Sequence, residues 1–194
     1  MIDPKDVFKA FQEHRGDAIV SATGTAGRHW MDFTENERRD VSLGGAMGQT
    51  TSAALGLALG LPDEKIVLFD AEGSLLMNLG AIASIAGMKP GNFFHFLLDN
   101  ECYATTGGQP VPNSQDIDYA AMAAGAGYAS TYNFDDLEEF STSVGEILQE
   151  TGPVFVAIKV TPEVENAPIG LRERRPTRGR LETINTLREE LGIA

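Results

Sequence analysis

The chain has 194 residues and a formal net charge of −13, with 15 basic against 28 acidic side chains, a balance that excludes nucleic acid or an anionic membrane as its main partner. One domain with a substantial core is expected at this length. Residues 1–17 are charged throughout with no secretory signal, no apolar run is long enough to span a membrane, and the lone Cys102 excludes an internal disulfide or a cysteine-rich metal site, so a cytoplasmic protein is expected.

Asp3 and Pro4 open an N-terminal helix that Gly16 is expected to end. Residues 17–22 read as the first strand, followed by the small polar turn Thr23-Gly24-Thr25. Residues 28–33 form a short helical piece holding the only tryptophan, Trp30, and residues 34–40 (TENERRD) read as an exposed connection. Arg28, His29, Arg38 and Arg39 are candidates to face a substrate, with a solvated surface the preferred reading for the Arg38-Arg39 pair. Residues 42–48 (SLGGAMG) are glycine-dense, which permits tight turns and close approach of backbone to a ligand. The run after them, QTTSAALGLALGL, is apolar or small on every side and is expected to be a helix buried between layers.

Residues 66–110 carry the pattern around which the rest is organised. Residues 66–69 are a short apolar run of the kind a buried parallel strand shows. Residues 70–74 (DAEGS) are read as the turn after it, 75–88 as a helix, and 93–98 as the next buried strand, ending in Asp99 and Asn100. In a parallel sheet both turns lie at the carboxyl edge, where such folds bind ligands. A carboxylate from one turn and an Asn oxygen from the next can converge there on a hard cation. The N–H groups of Gly73 and Ser74, opening a helix, can face an anion held by that cation. After the glycine loop 105–110 (TTGGQP), residues 116–127 read as a small-residue helix, 128–132 as a strand, 135–150 as an amphipathic helix and 153–160 as the last buried strand. Some six strands alternating with helices imply an α/β three-layer sandwich with a mostly parallel sheet. Residues 1–160 are taken as the domain, and 161–194 as an arm and helix packing on it or on a partner. That arm holds Arg172, Arg174, Arg175, Arg178 and Arg180.

Ala71-Glu72-Gly73-Ser74 and Asp99-Asn100, with Glu72 and Asn100 twenty-eight positions apart, resemble the thiamine diphosphate (ThDP) binding motif, in which Gly-Asp-Gly is followed by a paired Asn. LLMNLG at 75–80 and TTGGQP at 105–110 are similar to the small β chains of sulfopyruvate decarboxylase and to the C-terminal domain of phosphonopyruvate decarboxylase. The resemblance covers about residues 17–160. It implies a ThDP-binding fold in which Thr23, Gly24 and Thr25 lie against the diphosphate with Gly73 and Ser74. It also implies that the backbone carbonyl of Gly45 accepts the cofactor's amino group and that Met47 holds it bent. Glu72, Asn100 and the backbone oxygen of Cys102 become the ligands of Mg2+. The departures are Glu72, where the family supplies Asp, and Ala71, where it has glycine. Asp70 is the alternative ligand if the motif slips by one residue.

The resemblance further implies a carboxy-lyase acting on a 2-oxoacid, with sulfopyruvate to sulfoacetaldehyde and CO2 as the leading reaction. Phosphonopyruvate decarboxylation and an acetolactate-synthase-like carboligation are the alternatives. In this family the activating Glu lies on a separate pyrimidine-binding domain, for which this chain has no room, so no catalytic residue is assigned here. A separate α chain of similar size is the implied partner, in an α2β2 or larger hetero-oligomer. Iron–sulfur-bearing ThDP oxidoreductases are excluded by the single cysteine. A non-catalytic module with a degenerate ThDP site is the reading from a different class. A plain nucleotide-binding domain lacks its glycine fingerprints here.

Overall fold

The computed structural model describes residues 1–44, 46–164, 166–167, 171 and 178–193. Five parallel strands form one sheet in the order β1-β2-β3-β7-β6: β1 (Ile19–Ala22), β2 (Ile66–Ala71), β3 (Phe93–Asp99), β6 (Ser130–Phe134) and β7 (Val154–Lys159). The register pairs Ala22 with Phe69, Ala71 with Leu98 and Asp99 with Lys159, which brings the carboxyl ends of β1, β2, β3 and β7 to one edge. Two short antiparallel strands, β4 (Cys102–Tyr103) and β5 (Gln109–Pro110), make a hairpin beyond β3.

Side chains of β2 and β3 alternate between two apolar cores, as strands covered on both faces require. Val67, Phe69, Phe94, Phe96 and Leu98 point to the side covered by α1 (Pro4–Gln12), α2 (Gly24–His29) and α7 (Leu137–Ile147). There Phe8, Phe11, Trp30, Phe69 and Phe96 interlock, with ring centroids from 4.9 to 5.9 Å apart for the edge-on and tilted pairs among them. Ile66, Leu68, Phe93 and Leu97 point to the other side, toward α3 (Thr50–Gly60), α5 (Gly80–Met88), α6 (Tyr119–Ala126) and α8 (Arg180–Glu190). Each fully buried large side chain contributes about 1.5–3 kcal/mol of transfer free energy. The three-layer α/β sandwich follows from this two-sided alternation.

Local chemistry sets the helix starts. Asp3, Asp118 and Asp136 cap α1, α6 and α7, accepting from the N–H of Lys5, Ala121 and Glu139. Helix α1 stops at Gln12, one turn before Gly16. Residues 75–88 do not form one helix: α4 (Glu72–Met77) ends at Asn78, and α5 begins two residues later. Asp70 lies in β2 rather than in a turn, and the sixth strand is displaced two residues to Ser130–Phe134. Helix α3 is covered on one side only, with Leu59 and Gly56 exposed, so its apolar outer face is not sandwiched as its composition suggests.

The connection 34–40 is also less exposed than its charges imply. Asp40 is buried and accepts from Arg15 Nη2 at 2.7 Å, Trp30 Nε1 at 3.0 Å and Thr34 Oγ1 at 2.6 Å. Burial pushes its carboxyl up, an effect these donors oppose. Arg39 is largely covered and pairs with Glu64 at 2.7 Å, while Arg38 reaches Glu190 on α8. Helix α8 thereby packs on this same chain. Arg172, Arg174 and Arg175 lie outside the described residues. Among the described residues no helix is long and apolar enough to cross a membrane.

Candidate cofactor and metal site

Four stretches meet at the carboxyl edge. The turn after β1 lies on the end of β2: Gly24 has φ +60°, and a Cβ there would stand 3.4 Å from the Cβ of Ala71. Thr23 is the N-cap residue of α2 in extended conformation, and its amide donates to the Phe69 carbonyl at 2.9 Å. Thr25 is in the first turn of α2, and its side chain, like that of Arg28, is outside the description, as is Gly45 altogether. The loop before α3 lies on α4: the Gly48 amide donates to Ser74 Oγ at 3.1 Å. The hairpin after β3 covers Gly73, where a Cβ would stand 2.6 Å from a ring carbon of Tyr103. Met47 is about half exposed at this edge.

Glu72 is the first residue of α4 and is 1% exposed. Both of its carboxylate oxygens are buried with no hydrogen-bond partner among the described residues. Burial first, and the charge of Asp99 second, push its pKa up to about 7. The amides of Glu72 itself, Asn100 and Cys102 lie close enough to oppose that rise without forming a hydrogen bond to it. A buried carboxylate without a partner is costly, and a cation at the same spot removes that cost.

Asn100 is buried, and its Oδ1 accepts from the Cys102 amide at 3.1 Å, which fixes the side chain in a tight turn over residue 102. The carbonyls of Glu101 and Tyr103 accept from Val111 and Gly108. Strand alternation therefore directs the Cys102 carbonyl between them to the opposite side. Burial and the nearby carboxylates of Glu72 and Glu101 push the Cys102 thiol up, so its sulfur stays protonated and its backbone oxygen is the donor of this residue that suits a hard cation. Among the described residues no group of three His, Cys, Asp or Glu side chains is arranged to hold a metal. One carboxylate, one amide oxygen and one carbonyl form the all-oxygen, partly backbone donor set that suits a hard divalent cation.

Asp70 is not a substitute for Glu72. It is fully buried, accepts from Thr51 Oγ1 at 2.6 Å and from the Ala71 amide at 2.9 Å, and lies 3.5 Å from His95 Nε2. Burial alone would raise its pKa, but His95, Thr51 and the Ala71 amide outweigh that and hold the carboxyl below its usual range. Asp99 is likewise engaged, with Lys159 Nζ at 2.8 Å.

Three contributors are absent from the sequence reading. Tyr103 roofs Gly73, Thr51 anchors Asp70, and Asn78 donates from Nδ2 to the Gly48 carbonyl at 2.9 Å. Only Asn78 carried a signal, four positions after Ser74 and so on the same helical side. The glycine loop is closed by Gly107 at φ +109° and Gly108 at φ +78°, with Gln109 Nε2 donating to the Thr106 carbonyl at 2.9 Å. Val164 packs on Gly108, and Glu163 beside it pairs with His29 and Lys5, so the start of the arm lies across this edge. His29 therefore faces the arm.

Known proteins share this domain and fold. The model of the thiamine pyrophosphate enzyme C-terminal TPP-binding domain matches residues 19–158. The chain is 35% identical over 153 residues to a sulfopyruvate decarboxylase subunit beta of Methanothermobacter thermautotrophicus, covering 79% of this chain and 78% of that one. It is 34% identical over 145 residues to a phosphonopyruvate decarboxylase of Streptomyces hygroscopicus, covering 75% of this chain but 35% of the relative, so it spans about a third of that protein's length. Benzoylformate decarboxylase of Polynucleobacter necessarius has the same fold, with a TM-score of 0.70 at 19% identity over 84% of this chain and 34% of its own. With residues 19–158 matched and the buried Glu72 at the expected carboxyl edge, the chain belongs to the thiamine pyrophosphate enzymes, as their C-terminal TPP-binding domain.

Proposed function

We propose that this chain is the diphosphate-binding β subunit of a cytoplasmic, ThDP-dependent 2-oxoacid decarboxylase that acts with a separate α chain, sulfopyruvate being its substrate. The observation that carries the reading is Glu72, buried at the carboxyl edge of the sheet beside Asn100 and Cys102, with no hydrogen-bond partner for its carboxylate among the described residues. The relatives named as beta subunits match over 78% and 93% of their own lengths, which supports the split arrangement.

Glu72, Asn100 and the Cys102 carbonyl would hold Mg2+, and Thr23, Gly24, Thr25, Gly73 and Ser74 would bind the diphosphate. The Gly45 carbonyl and Met47 would contact the organic rings. When bound, thiamine diphosphate supplies a nucleophilic carbon and an electron sink for loss of CO2 from a 2-oxoacid. This chain's own share is to neutralise charge at the carboxyl edge and to orient the cofactor. Its glycine loop, with Thr105, Thr106 and Gln109, would close over the substrate and exclude water. The α chain brings the activating Glu.

The test is to purify the tagged chain from its native cells, identify co-purifying chains, and assay thiamine diphosphate and magnesium in the complex. A second chain of similar size with both cofactors is expected, and the complex should release CO2 from sulfopyruvate faster than from phosphonopyruvate or pyruvate. A homo-oligomer lacking both cofactors would make the site degenerate. A preference for phosphonopyruvate would reassign the substrate.

A further inference from the structure

Gly48 ends the loop that carries Met47, and both of its backbone polar groups are taken by side chains of the α4 segment. Its N–H donates to Ser74 Oγ at 3.1 Å, and its carbonyl accepts from Asn78 Nδ2 at 2.9 Å. The same nitrogen lies 3.4 Å from Ser52 Oγ in the first turn of α3. The approach is close: Gly48 has φ +81°, and a Cβ there would stand 3.1 Å from the Cβ of Met77 and 3.3 Å from that of Asn78. Asn78 is exposed, so water was available to satisfy its amide, and the bond to Gly48 is not forced by burial. Helix α3 is tied to the end of β2 a second time, through Thr51 and Asp70. The helix that presents Glu72 therefore also grips the loop that presents Met47.

We infer that Ser74 and Asn78 are positioning residues that lock the Met47 loop to the Glu72 helix, so that the cation-binding group and the ring-contacting loop are held as one rigid piece. This rests on the ThDP-site reading above. It assigns the side chain of Ser74 to the loop rather than to the diphosphate. It also separates two functions of α4: Glu72 serves the cation, whereas Asn78 serves the organic part of the cofactor through Gly48.

The experiment compares Asn78→Ala, Asn78→Asp and Asn78→Gln in the complex purified with its native partner. Three readouts are taken: amide hydrogen exchange in residues 46–50 of the cofactor-free protein, Mn2+ affinity by electron paramagnetic resonance, and ThDP affinity at saturating Mg2+. Asn78→Ala is expected to speed exchange of the Gly48 and Gln49 amides about tenfold and to weaken ThDP about fivefold, the scale of one hydrogen bond. Mn2+ affinity should stay within about twofold of wild type. Asn78→Asp keeps the shape but loses the donor and should behave as Asn78→Ala, while Asn78→Gln should recover part of the loss. Unchanged loop exchange, or Mn2+ affinity falling together with ThDP affinity, overturns the inference while wild type still binds the cofactor. If wild type itself binds neither Mn2+ nor ThDP, the underlying reading fails and the inference with it, a result distinct from the first two.

Discussion

Replacing Glu72 with Gln is expected to stabilise the metal-free chain at pH 8 while abolishing its measurable affinity for divalent cations. The sign follows from proton linkage. The folded carboxyl titrates at about 7 against 4.5 for the ordinary group, because burial and then Asp99 penalise its charge. Between those two values the folded state binds more protons than the unfolded state. Stability therefore falls as pH rises through that window and levels off above it. The shift corresponds to at most about 3 kcal/mol. A buried Gln amide also lacks partners, so a net gain of about 1–2 kcal/mol is expected, or roughly 3–6 °C in Tm. At pH 5 the carboxyl is already protonated, and the gain should vanish. Cation affinity of the wild type should run the other way, about tenfold weaker at pH 6 than at pH 8 as the proton competes for the site. Thermal unfolding in chelator at both pH values, with Mn2+ titration alongside, decides the matter. Equal destabilisation of Glu72→Gln at both pH values, or undiminished Mn2+ binding, would show that Glu72 is not the cation's carboxylate.

The strands that position the site were readable because each is apolar on both faces, so 66–69, 93–98 and 153–160 stood out from a charged chain. Their parallel pairing then forces Glu72 and Asn100 to one edge. The break between α4 and α5 was not readable. LLMNLGAIAS has helical character throughout, and the interruption arises because Asn78 turns aside to bond Gly48, a contact across thirty positions. Asp70 was assigned to the turn by its polarity. Its real environment depends on Thr51 and His95 arriving from other elements, which no local pattern reveals. The same holds for Asp40, whose partner Arg15 is 25 positions away. Polar residues of this chain escape a local reading where a distant partner offsets the cost of their burial.

Gly73→Ala tests whether the roof over the diphosphate turn is as tight as it stands. Gly73 is helical, with no positive φ to justify glycine, so helix propensity alone would favour Ala by about 1 kcal/mol. The obstacle is steric: the new Cβ would lie 2.6 and 2.8 Å from two ring carbons of Tyr103. Tyr103 directly follows Cys102 in β4, so displacing the ring drags the strand that offers the Cys102 carbonyl. Overpacking of this kind costs about 1–3 kcal/mol. Gly73→Ala is therefore expected to lower stability by that amount and to weaken Mn2+ and ThDP binding at least about tenfold, against the propensity trend. Tyr103→Ala opens the space, and the double variant should be more stable than the sum of the two single changes by about 1 kcal/mol or more. Denaturant unfolding of the four proteins measures this coupling, and Mn2+ titration shows whether affinity returns with it. A Gly73→Ala protein as stable as wild type and undiminished in cation affinity would mean that the ring yields freely, and that glycine is kept at 73 for the approach of a ligand rather than of Tyr103.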